Sequence, residues 1–378
     1  FLTFGMVYWL VPKLFKTKLW STSMANAHFW IGTLGIVMYA LPMYVAGFVQ
    51  AFMWKQFNPD GTLTYGNFLE TVSEIIPMYW MRAIGGSLYI VGMIMLVVNI
   101  IITIRKGSKV TDELAEAAPL ARVTKHRTAK EGYHTWLERR PVKLTIYATV
   151  AILIGGMVQI IPSLIVDDYV PKITSVKPYT PLELEGRDLY IRESCNACHS
   201  QMVRPFRSEV ERYGEYSKSG EYVYDHPFLW GSKRTGPDLF RVGGKYSDNW
   251  HFNHMYDPQS TSSGSIMPSY KWLIKNELDK SMTEKKMEAM VTLGVPYTEE
   301  DITRAQEWMD EQGTKIEQNL FSDPDFAKTY EADKKYAQEN NEAFVEMRNR
   351  EIVALIAYLQ RLGTDIKVKT NEGEVTLK

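Results

Sequence analysis

The stretch RESCNACHS, residues 192–200, contains Cys195 and Cys198, the only two cysteines of the chain, with His199 directly after them. Thiols at this spacing can form a disulfide, a redox dithiol, half of a zinc site or the attachment site of a covalent haem. A structural zinc site usually takes a second cysteine pair, a redox dithiol lies beside a βαβ pattern, and a disulfide leaves His199 unexplained. In Cys-x-x-Cys-His, each thiol can bond to one haem vinyl group while the imidazole ligates the iron. The motif therefore favours a c-type haem.

Outside this motif, the chain divides into an apolar part and a polar part. Its formal net charge is −1 and its mean hydropathy is −0.22, so no basic excess points to nucleic acid. Residues 28–54 and 144–166 carry no charged side chain, and residues 78–104 carry only Arg82. At about 1.5 Å per residue, each stretch is long enough to cross the roughly 30 Å hydrocarbon core of a bilayer. The sequence therefore predicts three full membrane spans.

The opening residues, FLTFGMVYWLVPKLF, are apolar for about a dozen positions and then reach Pro12 and Lys13. That length is too short to cross a membrane. We expect this segment to be the truncated end of a helix that begins upstream of Phe1.

The distribution of charge predicts the orientation of the spans. The segment before the first span holds three lysines and no acid, and residues 105–143 contain ten Lys or Arg against five acids. By the positive-inside rule, both segments are cytoplasmic. We therefore expect a basic cytoplasmic linker at 105–142, a transmembrane anchor at 143–166 and a domain on the periplasmic side of a bacterial inner membrane at 167–378.

The polar part has the pattern of a small helical haem domain. A helix is predicted in PLELEGRDLYIRESC, ahead of the haem motif, and another in NREIVALIAYLQRLG, near the C-terminus. In small c-type cytochromes the first and last helices cross where a small residue meets an aromatic one. Gly186 and Tyr358 are candidates for that pair, although each could equally serve its own helix. Between them, residues 276–350 are charged and helix-prone, which indicates a solvated helical insertion.

A six-coordinate haem needs a second axial ligand, and several methionines follow the motif. Met267 lies in SSGSIMPSY, a loop of small residues that ends at Pro268, where a non-helical backbone can bring a thioether to iron. Met282, Met287 and Met290 lie in a helix-prone stretch and are expected to be packing residues. The proximal imidazole also needs a partner for its other nitrogen, and we expect the carbonyl of Pro237 in RTGPDL to supply it.

Other histidines and arginines have weaker patterns. His251 and His254 could share a helical face, but without a carboxylate or thiolate partner a surface or interface role is favoured over zinc binding. A group of arginines could neutralise haem propionates, or each could be a surface cation: Arg204, Arg207, Arg234 and Arg241.

Two long stretches of the chain resemble subunits of one enzyme family. Residues 1–104, through NAHFWIGTLGIVMYALPMYVAGF and ETVSEIIPMYWMRAIGG, resemble the C-terminal part of subunit I of a cbb3-type cytochrome c oxidase. Residues 143–363, through CNACHSQMVRPFRSEVERYGEYSKSGEY and GSIMPSYKWL, resemble subunit II, the membrane-anchored mono-haem cytochrome of the same enzyme. The resemblance implies a fusion of two normally separate subunits and a class I cytochrome c-like domain.

The resemblance also implies cofactors and partners. Cys195, Cys198, His199 and Met267 match the haem c attachment and axial positions of the family. The complete enzyme reduces oxygen to water with proton pumping and holds b-type haems and copper as well. The implied partners are the rest of subunit I, a di-haem cytochrome c subunit III or a soluble cytochrome c donor, and membrane lipid, with no nucleic acid.

Histidine content limits what this chain is expected to do alone. Subunit I of the family uses six histidines for two b-type haems and a copper, whereas residues 1–104 contain only His28, at the start of a span. We therefore expect no catalytic residue here, an oxygen-reducing site upstream of Phe1, and an electron relay through haem c. Two alternatives stay open, namely the small cytochrome c subunit of a nitric oxide reductase and a non-enzymatic membrane-anchored electron carrier.

Overall fold

The computed structural model describes residues 2–109, 132–165, 173–231, 233–341 and 343–367. These residues form helices, turns and loops, and their only β-type pairings are two isolated bridges. The chain makes two compact units, one of Phe1–Tyr39 with Ala83–Val170 and one of Ala40–Arg82 with Pro171–Lys378. The expected mainly helical fold is confirmed.

Among the described residues, three helices contain a segment long and apolar enough to cross a membrane. They are α2 (Thr22–Lys55), α3 (Phe68–Lys106) and α5 (Pro141–Ile165), and a shorter apolar helix, α1 (Leu2–Leu14), precedes them. The first two begin well before the predicted spans at 28 and 78. Composition detects only the uncharged part of a helix, whereas its backbone hydrogen bonds continue into the polar turns on either side.

Helices α2 and α3 approach each other closely at a pair of glycines. A Cβ atom added at Gly35 would lie 2.7 Å from the Gly85 carbonyl oxygen, and a Cβ at Gly85 would lie 2.7 Å from the Gly35 carbonyl oxygen. Small residues of this kind let the backbones of membrane helices come into contact. Further along α3, the buried Asn99 side chain both accepts from the Ser21 N–H at 3.1 Å and donates to the Ser21 carbonyl at 2.7 Å.

His28, the one histidine before the linker, is buried within this first unit. Its Nδ1 lies 3.2 Å from the Tyr8 hydroxyl, and its ring packs against Phe4 and the backbone position of Gly92. These contacts place the His28 ring among protein groups.

Most of the predicted 105–142 linker, residues 110–131, lies outside the described residues. At its edges, α3 continues to Lys106 and a short helix, α4 (Tyr133–Glu138), lies just ahead of α5. The domain boundaries around it remain predictions.

The helices on either side of the haem motif cross as expected. Helix α6 (Pro181–Arg192) starts with a capping box between Thr180 and Glu183, and α15 (Glu351–Arg361) is buried from its first residue to Leu359. At the crossing, a Cβ added at Gly186 would overlap the Ala354 carbonyl oxygen and would lie 2.9 Å from the Tyr358 Cβ. Of the two readings, the pairing of Gly186 with Tyr358 is therefore the one that the structure supports.

The described part of the predicted insertion contains four α-helices: α11 (Thr283–Thr292), α12 (Glu299–Thr303), α13 (Ala305–Phe321) and α14 (Pro324–Glu339). The expectation of a solvated insertion is wrong for the inner faces of these helices, because Met309 and Leu320 are fully buried in the same core as α15. Their charged neighbours hide this apolar stripe in the sequence. Met287 and Met290 are buried packing residues as expected, whereas Met282 is 47% exposed.

Candidate functional site

The two cysteines lie on a single helical turn, α7 (Cys195–Cys198), directly after α6. Ser194 precedes the turn with a left-handed backbone at φ 58°, which redirects the chain, and the His199 N–H donates to the Cys195 carbonyl at 2.9 Å. The turn therefore holds Cys195, Cys198 and His199 in one short rigid segment, the arrangement that two thioether bonds and one axial ligand require.

Burial of Cys195 argues against a redox dithiol. Cys195 and Cys198 are both free thiols, Cys195 buried and Cys198 exposed. Burial raises the pKa of the Cys195 thiol to about 12. A reactive dithiol or a zinc site needs a thiolate, whose pKa is usually lowered by a nearby cation or a helix N-terminus.

His199 has the partner predicted for it. Its Nδ1 lies 2.8 Å from the Pro237 carbonyl oxygen, and because a carbonyl can only accept, the proton of this bond resides on Nδ1. Nε2 then keeps a lone pair, which is the state that ligates a metal. Burial lowers the pKa of His199, which favours this neutral form, and the hydrogen bond to Pro237 opposes it.

The loop around Pro237 is held tightly against the motif. The Gly236 N–H donates to the Cys198 carbonyl, and the Leu239 N–H donates to the Ser200 carbonyl, both at 2.9 Å. A Cβ added at Gly236 would collide with the His199 ring, so only glycine lets this loop come so close. Asp238 adds hydrogen bonds to the Ser200 hydroxyl at 2.6 Å and to the Met202 N–H at 2.8 Å.

One cavity of about 360 Å³ brings together all five predicted site residues. They are Cys195, Cys198, His199, Pro237 and Met267. The volume lies within the range of about 300–1,000 Å³ typical of cofactor sites. Most of the remaining wall is apolar and includes Leu355 and Leu359 from α15.

Met255 lines the same cavity and competes with Met267 as a candidate ligand. Met255 lies on α9 (Asp248–Tyr256), is 7% exposed and packs within the main core. Met267 is only partly buried at the edge of that core, in a loop tied by a bond from its own N–H to the Ser265 hydroxyl at 3.2 Å. Because the Met267 side chain is packed less fully into the core than that of Met255, its sulfur is better placed to bind a metal.

His251 and His254 also line this cavity, and for His251 the expected surface role is wrong. His251 is 1% exposed, because α9 turns it and Met255 inward at a spacing of one helical turn. Burial lowers the pKa of both histidines to about 4. His254 accepts or donates a 2.6 Å bond with the Thr261 hydroxyl and stacks on Trp250. The described residues contain no group of three metal-ligating side chains that would support zinc.

The four predicted arginines are mostly engaged by protein groups. Arg234 is buried in an ion pair with Glu209, and Arg241 lies 2.6 Å from a Glu221 oxygen. Arg204 lies 3.7 Å from Glu209. Arg207 donates to a backbone carbonyl, and only Arg241 of the four lines the cavity.

An arginine that sequence reasoning missed does line the cavity. Arg212, on α8 (Arg207–Tyr213), donates from Nη1 to the Gly66 carbonyl at 2.9 Å, while its buried Nη2 has no hydrogen-bond partner among the described residues. The His251 Nε2 is likewise buried and unpartnered there. The groups around the cavity fit a haem with its two carboxylates. They are two thiols, an imidazole, a thioether, an apolar wall and the two unpartnered polar atoms of Arg212 and His251. Nothing in the sequence around Arg212 distinguishes it from its basic neighbours.

Comparison with known proteins gives two family matches. Residues 134–366 match the family described as cytochrome C oxidase, mono-heme subunit/FixO. Residues 1–88 match the family described as cytochrome C and quinol oxidase polypeptide I. The order of the two matches along the chain agrees with the resemblances read from the sequence.

Individual relatives match the N-terminal part. Cytochrome c oxidase subunit 1 homolog of Agrobacterium tumefaciens is 41% identical over 119 residues, which cover 31% of this chain and 22% of the relative. Cytochrome c oxidase subunit 1 of Rhodobacter capsulatus is 40% identical over the same length, with the same coverage. Cbb3-type cytochrome c oxidase subunit CcoN1 of Stutzerimonas stutzeri is 41% identical over 96 residues, 25% of this chain and 20% of the relative. The chain thus spans about a fifth of the length of these curated relatives.

Proposed function

This chain belongs to the mono-heme FixO family of cytochrome c oxidase subunits, here fused to a segment of cbb3-type subunit I, and on that premise we propose that it relays electrons through one covalent haem c. The haem would supply a one-electron carrier. The rest of the proposal concerns what the residues of this chain do for it.

Cys195 and Cys198 would each form a thioether with a haem vinyl group. His199 would bind the iron through Nε2, with its ring orientation set by the Pro237 carbonyl, and Met267 would supply the other protein ligand through its sulfur. The observation that carries the proposal is the 2.8 Å bond from His199 to Pro237, inside a cavity that Met267 and both cysteines line. Thioether ligation from Met267 raises a haem potential, which suits an electron carrier.

The surrounding enzyme supplies the oxygen chemistry in this proposal. The rest of subunit I would carry the b-type haems and copper, and the whole assembly would reduce oxygen to water with proton pumping. Electrons would enter from a di-haem subunit III or a soluble cytochrome c. In support, residues 1–104 contain only one histidine, and it is buried against Tyr8.

The placement in the membrane is part of the same proposal. Charge asymmetry supports a cytoplasmic 105–142 linker, a membrane anchor at 143–166, and a cytochrome domain on the periplasmic side of a bacterial inner membrane. The matches to cytochrome c oxidases favour an electron relay within an oxidase over a nitric oxide reductase subunit or a free-standing electron carrier.

Haem staining after denaturing electrophoresis tests the attachment. Thioether bonds survive denaturation, so the unmodified chain should stain, and the double variant Cys195→Ala, Cys198→Ala should not. Because these are the only cysteines of the chain, no other thiol can replace them. Loss of haem from the unmodified chain under denaturing conditions would overturn the assignment.

A further inference from the structure

Two arginines of α8 hold the loop that joins α2 to α3. This loop, residues 56–67, is a compact turn in which Phe57 pairs with Leu63. Arg207 donates from Nη2 to the Gly61 carbonyl, and Arg212 donates from Nη1 to the Gly66 carbonyl, each at 2.9 Å. The Arg207 guanidinium also lies 4.7 Å from the centre of the Phe57 ring. Helix α8 and the 56–67 loop are therefore joined by two similar hydrogen bonds, each from an arginine to a backbone carbonyl.

The two arginines differ in what their remaining donors meet. Arg207 is exposed and does not line the cavity. Arg212 lines it, and its Nη2 is buried with neither a hydrogen-bond partner nor an ion-pair partner among the described residues. A buried donor on a cation is costly to leave unpaired, more so than a neutral one. Glu70 and Glu209 act on the Arg212 charge electrostatically, but neither carboxylate bonds to Nη2. An anionic acceptor in the cavity beside Nη2 would remove the cost of the unpaired donor.

The other cations around the cavity do not offer such a donor. Arg241 is committed to both oxygens of Glu221. Lys245 is exposed and lies over the Tyr246 ring. A haem presents apolar faces and only two anionic groups, its carboxylates, and a guanidinium matches a carboxylate as a planar, charge-assisted donor.

We propose that Arg212 is a positioning residue that binds a haem carboxylate through Nη2 while Nη1 holds the Gly66 carbonyl. This inference rests on the proposed function. It makes Arg212 a bridge between the haem and the residues just ahead of α3, which begins at Phe68. The guanidinium charge also favours the reduced haem, which carries one positive charge fewer than the oxidised form.

Spectroelectrochemical titration of the haem in the assembled oxidase tests the bridge, with Arg207 as the matched control. Arg212→Gln should keep the covalent haem but shift its one-electron equilibrium about tenfold toward the oxidised form, a fall of about 59 mV. Coulomb's law with an effective dielectric constant of about 20, the value for a partly buried site, gives an effect of this size for a unit charge about 12 Å from a redox centre. Arg207→Gln removes the equivalent loop contact and should shift the equilibrium less than about twofold.

Equal shifts in the two variants, or no shift in Arg212→Gln, would overturn the bridge while leaving the haem assignment intact, because the haem stain reports that assignment separately. If Arg212→Gln does not accumulate, Arg212→Lys against Arg207→Lys carries the test. A lysine keeps the charge but cannot reach the carbonyl and the carboxylate with one planar group, so a shift of about threefold is expected for Arg212→Lys only. Matching potentials in the two lysine variants would contradict the proposal.

Discussion

The crossing of α6 with α15 gives a prediction whose size follows from the structure. Gly186→Ala places a Cβ where the Ala354 carbonyl oxygen lies and 2.9 Å from the Tyr358 Cβ. The obstacle is backbone, so no side-chain rotation relieves it and the two helices must separate. Because α15 is buried along nearly its whole length, separation disturbs the main core and the cavity wall that Leu355 and Leu359 provide.

The opposing energies can be compared directly. Overpacking of a rigid core costs about 1–3 kcal/mol, and a backbone obstacle belongs at the upper end of that range. Replacing a helical glycine by alanine recovers about 1 kcal/mol of helix propensity. The net loss of stability is therefore about 2 kcal/mol. For a domain of about 200 residues, that corresponds to a fall of roughly 4–8 °C in Tm.

Thermal unfolding of the full chain in detergent, followed by near-ultraviolet circular dichroism, measures this fall. Gly86→Ala is the control, because a Cβ at Gly86 of α3 meets nothing within 4 Å and should not lower the Tm. An unchanged Tm for Gly186→Ala would refute the reasoning, since it would mean that the crossing has room for a methyl group.

Two further predictions concern the haem itself. Met267→Leu keeps the volume but removes the sulfur, so the haem reduction potential should fall and the iron should bind carbon monoxide. Met255→Leu should have neither effect. Potentiometry and carbon monoxide difference spectra measure both, and the reverse pattern would assign the ligand to Met255. The chain from Phe1 to Lys378, expressed alone, should show one c-type haem spectrum, no copper by elemental analysis and no oxygen uptake, and detection of b-type haem in it would contradict the histidine count.

Local patterns explain what could be predicted from the sequence. The Cys-x-x-Cys-His motif needs only adjacent residues. The Pro237 carbonyl could be predicted because proline has no N–H of its own to pair, and Gly186 because glycine has no Cβ atom. The long uncharged stretches likewise identified the membrane helices, although their ends lay beyond the uncharged residues because helical hydrogen bonding does not depend on hydropathy.

The features that sequence reasoning missed all depend on long-range contacts. The role of Arg212 arises from a carbonyl at Gly66, far away along the chain. The burial of His251 depends on which side of α9 faces the core, and a short helix with polar residues on several sides does not reveal this. Met309 and Leu320 are core residues whose apolar stripe is interrupted by charges.

The central claim, that electrons reach the oxidase through the haem of this chain, is tested most directly by the rate of b-haem reduction in the assembled enzyme. Met267→Leu should slow that reduction by a cytochrome c donor while leaving the b-haem spectrum unchanged, because it lowers the potential of the entry haem alone. Stopped-flow absorbance resolves both quantities in one experiment. A b-haem reduction rate equal to that of the unmodified enzyme would mean that electrons bypass this haem, and the account would be wrong.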